Sequence, residues 1–156
     1  MTAIINAELV MKDHLIPEAV LFVEDGKIAG FGEMRTTPIP EGCEIIDAEG
    51  KFVGPGFVDI HSHGRGGADF CDATDAAFDT IGKGKLEDGV TSFLATGLTR
   101  PEDELAEMCG AAERYKARCS GSTCLGVHLE GPFFNPEMAG AQNPDYLAKP
   151  DAALVK

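Results

Sequence analysis

Tryptophan is absent and basic side chains are scarce: 13 Lys plus Arg stand against 26 Asp plus Glu in 156 residues, a formal charge of -13. A nucleic-acid surface needs a basic patch, and an anionic lipid surface needs a basic helix, so neither partner fits. One focused pocket can still oppose the global sign, so an anionic small molecule remains open. No apolar run approaches the roughly 20 residues of a membrane span. Met1–Val10 carries Glu8 and lacks the basic start of a secretory leader, so a cytoplasmic protein is expected. The five cysteines, Cys43, Cys71, Cys109, Cys119 and Cys124, are odd in number and widely spaced, with no CxxC. That argues against a disulfide scaffold and a zinc knuckle, and for reduced structural thiols.

What is present fits a globular chain, with 44% hydrophobic and 25% charged residues. Two regions are expected. Residues 1–52 read as short strands: Thr2 to Asn6, Ala19 to Glu24, Lys27 to Gly30 and Cys43 to Asp47, with a tight hairpin turn at Asp25-Gly26. Such a layer is thin and should lean on something else. Residues 53–156 change period. Phe57 to His61 reads as a strand. Ala73 to Asp88 reads as a helix with Thr74 as a cap, weakened by Gly82 and Gly84 and ended by Gly89. Val90 to Ala95 is a second strand. A helix follows with Pro101 in its first turn, and Thr123 to Leu129 is a third strand. The order β-α-β-α-β predicts parallel strands and the start of an α/β sheet or barrel. The tail after Leu129, rich in Gly and Pro, promises no strong element.

The chemistry sits at strand ends. In His61-Ser62-His63 a period of two points both imidazoles to one side, together with Phe57 and Asp59. Two neutral imidazoles so placed can clamp a divalent metal; two hydrogen-bonded polar histidines at a surface turn are the plain alternative. Gly64, Gly66 and Gly67 follow and suit a site rim, but they fit neither a Walker loop nor a dinucleotide fingerprint. On the third strand Cys124, Gly126, His128 and Glu130 share a parity. Ionisable groups at the end of an internal strand are costly unless used or paired. Glu130 is therefore a candidate carboxylate ligand, or a solvated residue past the strand end. His128 is a candidate group beside the metal or substrate. Asp69, Asp72 and Asp75 lack the spacing of a calcium loop and read as a solvated loop and helix cap. No serine elbow is present, and no histidine pairs obviously with a cysteine. Phe133-Phe134 reads as core or pocket wall.

Gly54-Pro55-Gly56-Phe57-Val58-Asp59-Ile60-His61-Ser62-His63-Gly64 resembles the opening barrel strand of the amidohydrolase superfamily. Val127-His128-Leu129-Glu130-Gly131-Pro132-Phe133, followed by Gly140-Ala141-Gln142-Asn143-Pro144, resembles one of its branches, the N-acetylglucosamine-6-phosphate deacetylase family. Gly67-Ala68-Asp69-Phe70 and Gly89-Val90-Thr91-Ser92-Phe93 match the same branch.

The resemblance implies an α/β fold: the first strands of a metal-dependent (β/α)8 barrel in residues 53–156, preceded by part of a composite β-sandwich in residues 1–52. It implies that Glu130 holds a principal ion together with two later histidines, and that His61 and His63 hold a second. Ala141 and Gln142 would bind substrate; some members carry histidine at the second of these positions, and Gln142 can exchange hydrogen bonds there but carries no charge. The implied cofactor is a divalent metal, zinc foremost, with iron, manganese or cobalt as alternatives, in one or two copies. The implied partners are N-acetylglucosamine 6-phosphate, the C-terminal remainder of the same enzyme, and further copies in a homo-oligomer. The implied reaction is metal-dependent hydrolysis of the N-acetyl group to acetate and glucosamine 6-phosphate. A full barrel needs about 250 residues, so the chain is expected to be the first part of such an enzyme. The catalytic aspartate would lie beyond Lys156, and the chain alone would be inactive. Another amidohydrolase, dihydroorotase-like or dipeptidase-like, and a non-catalytic structural or metal-binding fragment are the alternatives.

Overall fold

Asp25 and Gly26, both with positive φ (51° and 71°), make the two-residue turn that their sequence predicts. The turn joins β2 (Leu15–Glu24) to β3 (Lys27–Glu33). In the computed structural model, which describes residues 1–154, the chain divides between Pro55 and Gly56 into two units, a few residues later than the composition shift suggests.

The first unit is one sheet. β1 (Thr2–Val10) runs antiparallel to β2 and parallel to β4 (Glu44–Asp47) and β5 (Phe52–Val53). The strand order is β3-β2-β1-β4, with β5 pairing farther along β1. β1 is longer than the sequence suggests. Bulges at Asn6 and Glu18, both with positive φ, let it bend while staying paired. Small residues let the strands pack closely: Ala3, Ala7 and Ala19 are fully buried beside Leu9, Val20 and Phe22. Among the described residues there is no second layer of the implied sandwich, and Ile28, Phe31, Ile45, Ile46 and Phe52 are exposed.

The second unit is a parallel three-stranded sheet in the order β10-β9-β6. β6 is Phe57–Asp59, β9 is Val90–Gly97 and β10 is Thr123–Leu129. Two crossover helices, α1 (Asp75–Glu87) and α2 (Glu102–Arg118), link them in sequence order. Each strand is the neighbour of the next one along the chain, the winding that generates a (β/α)8 barrel. Phe70, Phe78, Ile81, Phe93, Met108 and Tyr115 form the core where the helices meet the sheet. Each such side chain contributes about 1.5–3 kcal/mol on burial.

Thr74 caps α1, its Oγ1 accepting from the Ala77 amide at 3.1 Å. Pro101 stands at the cap of α2 rather than inside its first turn. Gly82 makes room within α1: a Cβ there would collide with the Tyr115 hydroxyl. Asp69 and Asp72 form a capping box around a single 3-10 turn (Phe70–Asp72), in keeping with their reading as caps. A short hairpin that the sequence reading lacks, β7 (Gly64–Arg65) and β8 (Ala68–Asp69), turns through Gly66 and Gly67, both with positive φ. Among the described residues the tail holds two 3-10 turns, Pro136–Met138 and Pro144–Tyr146. Among the described residues no helix is long and apolar enough to cross a membrane.

Candidate metal centre

β6 stops at Asp59, two residues short of its expected end, and this changes how His61 is aimed. Asp59 Oδ1 accepts the His61 amide at 3.0 Å, which turns the chain out of the strand. Alternation ends there, so Asp59 does not share a side with His61 as the period-two reading required. Asp59 pairs in register with Phe93, a core residue, and its Oδ2 lies 2.6 Å from Lys85 Nζ on α1. Burial pushes the Asp59 carboxyl up, but hydrogen bonds from Lys85, Ser62 and the His61 amide outweigh it and hold the pKa below the usual range. Beyond the turn, Ser62 donates its amide to Thr96 Oγ1 at 3.2 Å, and the His63 carbonyl accepts the Phe70 amide at 2.8 Å.

On β10 the expected common face of Cys124, Gly126, His128 and Glu130 is also broken. The register slips between Cys124 and Gly126, so Leu125 is an extra residue. Cys124 therefore joins Phe93 in the core, while His128 stays in register with Thr96. His128 Nδ1 lies 3.1 Å from the Ile60 carbonyl. Donation to that carbonyl puts the proton on Nδ1 and ties the end of β10 to the residue before His61. The His128 and His61 rings meet edge-on, 5.0 Å apart.

Three donor atoms converge on this corner. Glu130 Oε2 lies 3.4 Å from His61 Nε2 and 3.1 Å from His63 Nε2, and one ligand atom from each residue falls within 4.8 Å of the others. Two ligands on a tetrahedral ion with bonds of about 2.1 Å stand about 3.4 Å apart, so the spacing fits a cation. The hydrogen bonding points the same way. Glu130 Oε2 is buried and has no hydrogen-bond partner despite the two imidazoles beside it. Acceptor-type atoms crowded together without aligned hydrogens suit a metal better than a polar network. The spacing fits one ion held by all three residues, whereas the resemblance implies separate ions for Glu130 and for the histidine pair. A cleft of about 410 Å³ lined by His128, Glu130, Phe133 and Phe134 opens beside the cluster.

The remaining sequence-derived residues lie in the tail. Ala141 is exposed. Gln142 is buried, and its Oε1 accepts the Thr99 amide at 2.8 Å, fastening the tail to the end of β9. Gly131, φ 97°, passes so close to Thr99 that a Cβ would strike its hydroxyl. The sequence reading missed Lys85 and Thr96. A signal for Lys85 existed, since it falls on the stripe Phe78, Ile81, Gly82, Lys85 that buries α1.

Residues 52–156 match the model of the amidohydrolase family. The chain is 34% identical over 139 residues to the N-acetylglucosamine-6-phosphate deacetylase of Lysinibacillus sphaericus, a stretch that covers 87% of this chain and 35% of that protein. It is 34% identical over 152 residues to the deacetylase of that name from Bacillus subtilis, covering 95% and 38% of the two. The crystal structure of N-acetylglucosamine-6-phosphate deacetylase from Thermotoga maritima superposes with a TM-score of 0.80 at 28% identity, covering 99% of this chain and 39% of that one. The chain thus spans well under half the length of these relatives. With the family match extending over both barrel-type helices and over His61, His63 and Glu130, the chain belongs to the amidohydrolase family.

Proposed function

We propose that this chain supplies the first metal-holding strands of an N-acetylglucosamine-6-phosphate deacetylase. In this reading a divalent cation sits among His61, His63 and Glu130, at the C-terminal ends of β6 and β10. The observation that carries it is the convergence of those three donor atoms within 4.8 Å, with Glu130 Oε2 left without a hydrogen bond. Two imidazoles and a carboxylate suit zinc first, then iron, cobalt or manganese. The bound ion would lower the pKa of a water and polarise the acetyl carbonyl.

The chain's own groups have defined roles. His61, His63 and Glu130 hold the ion. His128 braces the turn before His61 through the Ile60 carbonyl. Asp59 does not serve as the base: it is bonded to Lys85 and to the His61 amide, with its pKa held low. The resemblance to the family implies that the aspartate that moves the proton belongs to the remainder of the enzyme. Gln142 commits its oxygen to Thr99, which leaves its NH2 to donate to a phosphate oxygen. The exposed Ala141, its neighbour in the chain, would contact the same substrate. Water adds across the amide to give acetate and glucosamine 6-phosphate, in the cytoplasm, where charge retains sugar phosphates.

The test is a graft. Residues 1–156 replace the matching N-terminal segment of the Bacillus subtilis deacetylase. The folded chimera should release acetate from N-acetylglucosamine 6-phosphate, and Glu130→Ala within the graft should abolish release. A folded, metal-loaded chimera that leaves this substrate intact while hydrolysing another cyclic amide or a dipeptide would overturn the assignment.

A further inference from the structure

We propose that Lys85 is a positioning residue for the His61/His63 pair. Its ammonium fixes Asp59 and Ser62, and through them the turn that aims both imidazoles at Glu130. The functional meaning rests on the metal-centre reading above; the geometry does not.

Lys85 lies on the buried stripe of α1 at 4% exposure, a depth at which lysine is costly unless paired and hydrogen-bonded. Its Nζ donates to Asp59 Oδ2 at 2.6 Å and to Ser62 Oγ at 2.7 Å, and it stands 5.6 Å from the centroid of the Phe93 ring. Two of its three hydrogens are thereby directed, and the ring face covers another side.

The two acceptors bracket His61 in the chain. Asp59 Oδ1 holds the His61 amide at 3.0 Å, and the Ser62 amide is held by Thr96 Oγ1 at 3.2 Å. Four bonds therefore clamp residues 59–62, and none uses an imidazole. The clamp is anchored on the helix, because Phe78 and Ile81 seat α1 in the core beside Phe70 and Phe93. A methionine of similar length would fill the same space without desolvating a charge. What the ammonium adds is direction. Without it Asp59 is a carboxylate with no cation beside it, and the turn that aims His61 is free to re-form elsewhere.

The test uses the chain labelled with 15N. Imidazole signals of His61 and His63 are recorded without metal, and Co2+ binding is followed by its visible absorption, for wild type, Lys85→Met, Lys85→Arg and Ser62→Ala. Urea unfolding verifies that each variant is folded. Lys85→Met is expected to move the ring signals of His61 and His63, leave those of His14 in place, and weaken Co2+ binding at least tenfold. Lys85→Arg should recover part of the loss, and Ser62→Ala should show a smaller change in the same direction. Unmoved ring signals in folded Lys85→Met, or wild-type Co2+ affinity, would overturn the proposal. Ring signals that move while even wild type binds no Co2+ would uphold the positioning role and overturn the metal-centre reading instead. Should Lys85→Met not fold, Ser62→Ala decides: ring signals and affinity both equal to wild type overturn the proposal.

Discussion

His63 Nε2 stands 3.1 Å from Glu130 Oε2, one residue lying just past β6 and the other just past β10. The oxygen is buried and accepts no hydrogen bond. A charged acceptor in that state costs stability in the metal-free chain. Glu130→Gln removes the charge and keeps the shape, so the metal-free variant should be more stable than wild type by about 0.5–1 kcal/mol. Urea midpoints without added metal check this; a lower midpoint would contradict it.

Gly82→Ala decides between helix propensity and packing. In an open helix the change stabilises by about 1 kcal/mol. Here the new methyl meets the hydroxyl of Tyr115, which is itself fully buried and donates to the Ser122 carbonyl at 2.8 Å. Overpacking of that kind costs about 1–3 kcal/mol, so the variant should unfold at lower urea than wild type.

Tyr115 sets an alkaline limit. Burial above all pushes its pKa up to about 12. The folded state thus favours the neutral phenol more than the unfolded chain does, whose tyrosine ionises near 10. The stabilisation is complete below about pH 10 and is lost as pH rises from there through the folded value of about 12. Across that window wild type should lose about 2–3 kcal/mol more than Tyr115→Phe does. Chemical unfolding at stepped pH, with phenolate absorbance as a second readout, measures the difference. Parallel losses in the two proteins would contradict it.

Gln142 has a structural duty besides any contact with substrate. Gln142→Leu leaves the Thr99 amide without its acceptor in a buried place. It should destabilise the unit that holds β9 by about 1–3 kcal/mol. Unchanged stability with reduced sugar-phosphate binding would show that the bond to Thr99 carries little.

Features specified locally were legible in the sequence. The Asp25-Gly26 turn and the Thr74 cap depend on neighbouring residues alone, and both are found as read; α1 itself, Asp75–Glu87, is shorter than the Ala73 to Asp88 expected. The meeting of His61, His63 and Glu130 at one corner follows from the strand-end position read for each of them. What failed was strict alternation. The Asp59 bond to the His61 amide ends β6 early, and the extra residue Leu125 splits the faces of β10. Both events depend on side-chain bonding or strand pairing, which a period-two pattern does not encode. Gly82 read as a weakness of α1 because Tyr115, the residue that needs its missing Cβ, lies on another helix. The role of Lys85 was missed because its acceptors sit in a turn far away in sequence.

Calorimetric titration of the metal-free chain with Zn2+ shows whether His61, His63 and Glu130 act together on one cation. Saturable binding to wild type is expected, falling at least tenfold in Glu130→Ala and in His63→Ala and staying unchanged in His14→Ala, whose imidazole lies in the first unit next to Asp13. Zn2+ binding that is the same in wild type, Glu130→Ala and His63→Ala would contradict it.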